Sequence, residues 1–156
     1  MTINLADWSF LVDVGATAEH TARCASDHCL CGYCRNYYET LDLAHPSIRP
    51  FLARFGIHAE GPSELMPLEP TLMAACYRVT GRILKTGTAA LHVNGVPIRP
   101  EPADSTTFFL WIGEMELPWC QDEPMSDVIS PANQPEFMER MAVKFLQWYP
   151  DSQILS

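Results

Sequence analysis

The sequence predicts an α+β fold: a mostly antiparallel β-sheet, with two short helices after the N-terminal strand and a C-terminal helix. Three observations predict it. Apolar and polar residues alternate in several separate runs, which is the period of a half-buried strand. Asn94-Gly95, following Leu91, His92 and Val93, is a strong two-residue hairpin signal, and hairpins join antiparallel neighbours. Helical spacing occurs only early and late in the chain, so strands and helices do not alternate as they do in βαβ units. The chain has 156 residues, 47% of them apolar, which suits one domain over 1–156 with a real hydrophobic core. It shows no internal repeat, low-complexity tract or linker. Thirteen prolines argue against long uninterrupted helices.

Trp8, Phe10, Val12 and Val14 alternate with Ser9, Leu11 and Asp13, a strand with one strongly apolar face. A polar loop carrying most of the cysteines is expected next. Residues 35–44 read as a short helix with Tyr38 and Leu41 on one side, stopped at His45-Pro46. Ser47 is placed to cap a second helix, with Pro50 in its first turn and Gly56 at its end. Ile48, Phe51, Leu52 and Phe55 fall on one stripe of that helix. After Gly61-Pro62 the period becomes two: Tyr77, Val79 and Ile83 alternate with Arg78, Thr80 and Arg82. Thr86-Gly87 turns the chain. Residues 106–117, rich in Phe108, Phe109, Leu110, Trp111 and Ile112, form the longest strand candidate, closed by Pro118. Residues 121–135 read as a loop. Asn133 is placed to cap the C-terminal helix, with Phe137, Met141, Phe145 and Trp148 on one stripe.

Net charge is −9. Between Glu101 and Glu136 there are eight acids and no Lys or Arg. A nucleic-acid binder needs a basic footprint for phosphates, and Arg78, Arg82 and Lys85 supply only a short stripe. No nucleic-acid partner is therefore expected. The acidic stretch reads as a solvated surface or as a docking face for a basic protein partner. The N-terminus lacks a basic region followed by an apolar core, so no signal peptide is expected. No apolar run approaches the roughly 18 residues of a membrane span. The expectation is a cytoplasmic location with no membrane partner. In a reducing cytoplasm, clustered thiols bind metal or do chemistry more often than they form structural disulfides.

Four of the six cysteines fall within eleven residues: Cys24, Cys29, Cys31 and Cys34. Zinc favours tetrahedral thiolate and imidazole ligands, and Cys31 and Cys34 have the two-residue gap of a zinc knuckle. Cys29 adds a third ligand, and Cys24, or His28 as an alternative, completes four. Arg35 and the amides opening the next helix would offset the negative charge of such a site. Cys76, Cys120 or another histidine are further ligand candidates. The same residues support two other readings. Cys31-Gly32-Tyr33-Cys34 has the form of a redox dithiol, activated by a helix N-terminus, although a polar segment rather than a buried strand precedes it. Reduced cysteines also pack as small apolar residues, here beneath Tyr37 and Tyr38; this is the simplest reading of the isolated Cys76 and Cys120. His20 and Glu19 read as solvated loop residues or extra ligands.

His58-Ala59-Glu60 matches the H-x-E of zinc deaminases, but the cysteine pair precedes it here rather than following it. No Gly-rich phosphate loop and no nucleophile elbow appear. No catalytic residue is assigned.

The run Cys29-Leu30-Cys31-Gly32-Tyr33-Cys34-Arg35-Asn36-Tyr37, together with Leu117-Pro118-Trp119 late in the chain, resembles a group of small uncharacterised bacterial proteins. These share a C-x-C-x-x-C-R-N-aromatic motif and a late strand ending in Leu-Pro-Trp. The resemblance implies a bacterial cytosolic protein and transfers no catalytic residues. Cys24 lies outside the shared motif. The sequence thus predicts a binding or interaction module with a structural zinc cluster. The alternatives are a thiol–disulfide oxidoreductase using Cys31 and Cys34, and an acidic immunity or inhibitor-type protein masking a basic partner.

Overall fold

The computed structural model describes residues 1–27, 29–69 and 71–122. In chain order these form β1 (Thr2–Leu5), β2 (Trp8–Val12), α1 (Val14–Ser26), α2 (Gly32–Ala44), α3 (Ile48–Arg54), β3 (Glu64–Glu69), β4 (Leu72–Lys85), β5 (Leu91–Val93), β6 (Val96–Pro102) and β7 (Thr107–Glu116). The strands make one seven-stranded sheet in the order β1-β2-β4-β7-β6-β5, with β3 added beside β4. Every pairing is antiparallel. β4 runs long enough to pair β3 with its first half and β2 with its second. None of the described helices is long and apolar enough to cross a membrane.

The helix placement corrects the sequence expectation. Three helices follow one another between β2 and β3, in place of two short ones. The first, α1, covers residues read as polar loop. The reason is the character of its buried face. α1 buries Thr17 and Thr21, one turn apart, instead of large apolar residues, so it leaves no apolar stripe at helical spacing. Thr17 Oγ1 accepts from the Thr80 amide of β4 at 3.0 Å, and Thr21 Oγ1 accepts from the His58 amide at 3.0 Å. The approach is tight: a Cβ on Gly61 would lie 2.0 Å from the Thr21 carbonyl oxygen. Asp13 starts the helix by accepting from the Ala16 amide at 2.9 Å, an N-cap contact that satisfies one of the first-turn amides.

α2 starts three residues earlier than expected, at Gly32, with Cys31 as its N-cap. Its buried side is Tyr33, Asn36, Tyr37, Thr40 and Leu41, whereas Tyr38 is only half-buried. α3 follows Ser47, carries Pro50 in its first turn and ends before Gly56, whose φ of 82° suits glycine. The expected N-terminal strand is a hairpin, β1-β2, turned at Ala6-Asp7. The expected C-terminal helix, with Asn133, Phe137, Met141, Phe145 and Trp148, lies outside the described residues.

The helices cover one face of the sheet. That core joins Phe10, Phe55 and Phe108 through ring contacts at 5.8 and 5.4 Å, and includes Tyr37, Leu41, Tyr77, Val79, Leu110 and Ile112. The Tyr37 and Tyr77 hydroxyls hydrogen-bond one another within it, and Tyr77 donates to the Ala59 carbonyl at 2.6 Å. On the opposite face Met66, Ala74, Cys76 and Trp111 form a second buried cluster.

Candidate metal centre

Three of the clustered thiols meet at the start of α2. The sulfurs of Cys29, Cys31 and Cys34 all lie within 4.8 Å of one another. Cys34 belongs to the first turn of α2 and is buried, Cys31 is half-buried at the N-cap, and Cys29 is exposed in the non-helical stretch before it. The helix sets the spacing: an N-cap residue and the third residue of the first turn face the same side. Cys31 Sγ and Cys34 Sγ are 3.4 Å apart, near the edge of a tetrahedron built on Zn–S bonds of ~2.3 Å. The Cys31 amide donates to Cys29 Sγ at 3.4 Å. Among the described residues this trio is the one His/Cys/Asp/Glu group close enough to hold a metal ion.

The three sulfurs do not share charge equally. The Cys34 thiol, hydrogen-bonded to Cys31, holds the Cys31 pKa down to about 5, and the backbone amides of Cys34 and Tyr33 add to this against the cost of burial. Cys34 is pushed the other way, first by that same hydrogen bond and then by burial. One proton is therefore held between the two sulfurs and stays on the inner one. Arg35 is anchored beside the site, with Nη1 donating to the Leu30 carbonyl at 2.8 Å and Nε to Gln121 Oε1 at 3.2 Å.

Asn36 fastens this helix end to the segment after β7. It is buried, its Nδ2 donates to the Pro118 carbonyl at 3.0 Å, and its Oδ1 accepts from the Cys120 amide at 2.8 Å. Tyr33 packs edge-on against Trp119 at 5.3 Å. Residues 33–36 and 117–121, which are remote in sequence, thus touch.

Cys24 is not part of the trio. It lies in the last turn of α1, half-buried, with Sγ 3.6 Å from His20 Nε2. One cavity of about 470 Å³ is nevertheless lined by His20, Cys24, Cys29 and Cys34 together. His28 lies outside the described residues. Cys76 is buried in the second cluster on the far face of the sheet, among Met66, Ala74 and Trp111. Cys120 is exposed. His58 is exposed, and Glu60 is engaged by Arg49, with Nη2 at 2.6 Å from Oε1, so the glutamate of the H-x-E run serves an ion pair. His20 is the site residue that loop reading undervalued. Its signal was the His-x3-Cys spacing, which becomes a same-face pair once 14–26 is recognised as helix.

No protein-family model, curated protein or solved structure matches this chain.

Proposed function

We propose that this protein is a zinc-binding module in which Cys29, Cys31 and Cys34 hold one ion that fixes the start of α2. The observation that carries this reading is the convergence of three sulfurs within 4.8 Å. Thiolates are soft ligands that favour zinc over magnesium or calcium. The amides of the first turn of α2 and the Arg35 guanidinium would offset the negative charge of a thiolate-rich zinc. Protein purified without a tag is expected to carry about one zinc per chain, a ratio read from elemental mass spectrometry. Chelation should then expose at least three additional titratable thiols. Metal-free protein that ignores added zinc would remove the reading.

A second reading is favoured by one specific feature, the pairing of a half-buried Cys31 with a buried Cys34 at a helix N-terminus. The Cys31 thiolate would attack a partner disulfide, releasing one partner sulfur as a thiol. The Cys34 sulfur would then displace the second, leaving a Cys31–Cys34 disulfide and a partner reduced by two electrons. Turnover is expected to be weak, since the segment before Cys31 is not a buried strand. Robust reductase activity lost on Cys31→Ser would promote this reading.

As an interaction module the protein is expected to engage a basic protein partner and no nucleic acid, because net charge is −9 and long-range steering follows net charge. This acidity also supports the immunity or inhibitor alternative. The resemblance to small bacterial proteins supports a bacterial cytosolic setting.

A further inference from the structure

The trio offers three ligands, and a closed structural zinc site takes four. The cavity that Cys29 and Cys34 line is also lined by the last turns of α1, where His20 and Cys24 stand one turn apart. We propose that this pair closes the metal site: Cys24 supplies the fourth thiolate, and His20 holds that sulfur in place through a ring N–H···S hydrogen bond. The proposal rests on the zinc reading of Cys29, Cys31 and Cys34, and adds to it a second element and a positioning residue.

Three observations support it. The His20 Nε2 to Cys24 Sγ distance of 3.6 Å is already that of a hydrogen bond to sulfur, so the Cys24 side chain is held before any ion arrives. Both residues are half-buried and lie on one side of α1, and α1 is fixed rigidly to the fold through Thr17, Thr21 and the close approach of Gly61. The tether is short: α1 ends at Ser26, five residues before the Cys31 N-cap. Cys29, exposed and outside regular structure, is the member of the trio held least by the fold, by one hydrogen bond from the Cys31 amide at 3.4 Å. Cys24 would also bring a ligand from a second element to a site otherwise held by one short segment.

Cobalt and zinc titrations of the reduced full chain test this. Cobalt reports the number of thiolates through its sulfur-to-metal charge-transfer absorbance. Cys24→Ala should bind the ion at least ~10-fold more weakly, with that absorbance reduced by about a quarter, since one of four sulfurs is lost. His20→Ala should weaken binding by ~10-fold or more, as loss of an outer partner of a ligand typically does, while His20→Gln, which keeps a donor, should recover most of it. Alanine suits both helix positions, and the far-UV spectrum of each variant checks folding. A Cys24→Ala protein with wild-type affinity and absorbance would overturn the proposal while leaving the trio's zinc intact. Failure of glutamine to recover what alanine loses would overturn the role of His20. Wild-type protein that takes up neither metal would instead remove the zinc reading itself.

Discussion

At the scale of single residues, the chemistry of this chain is decided by which sulfur keeps its proton. Cys31 and Cys34 share one hydrogen bond, and the outer sulfur has the N-terminal amides of α2 to itself, so its pKa falls to about 5 while that of Cys34 rises. In metal-free, reduced protein, Cys31 should therefore alkylate with a midpoint near pH 5, with Cys34 inert at neutral pH; mapping the labelled peptides across pH checks this. Removing the donor with Cys34→Ala should move the midpoint upward, and an unchanged midpoint would mean the helix amides alone set it. Asn36 is the other decisive side chain. Its amide fills both halves of a gap between α2 and residues 118–120. Asn36→Ala removes both hydrogen bonds but leaves the Pro118 carbonyl and the Cys120 amide on exposed residues, so the cost should be about 1 kcal/mol per bond lost. A urea midpoint unchanged by that substitution would show that water replaces the clamp. Asp7 gives a pH signature of a different kind. The Thr88 amide, then the Ala89 amide and the Thr88 hydroxyl, hold its pKa down to about 2 from 3.8. Its contribution is present above pH 3.8, and is lost as pH falls through about 2. Asp7→Asn should remove that part of the acid dependence of stability, seen as a flatter melting temperature between pH 4 and 2.

At the scale of elements, what the sequence showed and what it hid follow from how each element is buried. α3 was legible because Ile48, Phe51, Leu52 and Phe55 are large, apolar and regularly spaced, and all are buried. β7 was legible for the same reason with period two: Phe108, Leu110 and Ile112 face the core beneath the helices, while Trp111 faces the second cluster. α1 was not, since its interface is made by hydroxyls and small residues at close range. β3 was hidden by Pro67 and by an edge position at which Met66 alone is fully buried. The cysteine trio was legible from spacing, because a knuckle next to a helix start leaves few other geometries. The place of His20 was not, since it depends on α1 being a helix at all. That dependence makes α1 a good place to test the account. Asp13→Ala should cost about 1 kcal/mol through loss of the cap. Gly61→Ala should cost more, because its Cβ would meet the Thr21 carbonyl oxygen at 2.0 Å and backbone must move. If Gly61→Ala proves as stable as wild type, the close packing of α1 is not what holds it.

At the scale of the whole molecule, the cysteine trio and the core are separate structures that share one helix. The aromatic core between sheet and helices contains none of the trio's three sulfurs among its buried residues, and Cys31 only packs against its margin. In a zinc finger the ion replaces the core, so chelation unfolds the domain. Here the core is built without the trio, and a zinc held by the trio should act on the margin: the residues leading into α2, and residues 118–121, fastened to α2 by Asn36 and Arg35. Structural zinc is worth ~10–16 kcal/mol of apparent binding energy in small peptides, most of which is coupled to ordering the chain around the ion. In a scaffold that already positions the thiols, less of it is needed for order, and loss of the ion should loosen a region without collapsing the fold. Removal of zinc with a chelator should therefore lower the melting temperature while the far-UV spectrum at 25 °C is retained. Amide exchange locates the effect. Amides of residues 29–36 and 118–121 should exchange faster in the metal-free protein, while those of β4 and β7, at the centre of the sheet, should stay protected to the level of global unfolding. Uniform acceleration across the sheet would mean that the ion supports the core after all. Unchanged exchange around Cys31 would mean that any bound zinc lies elsewhere on the chain.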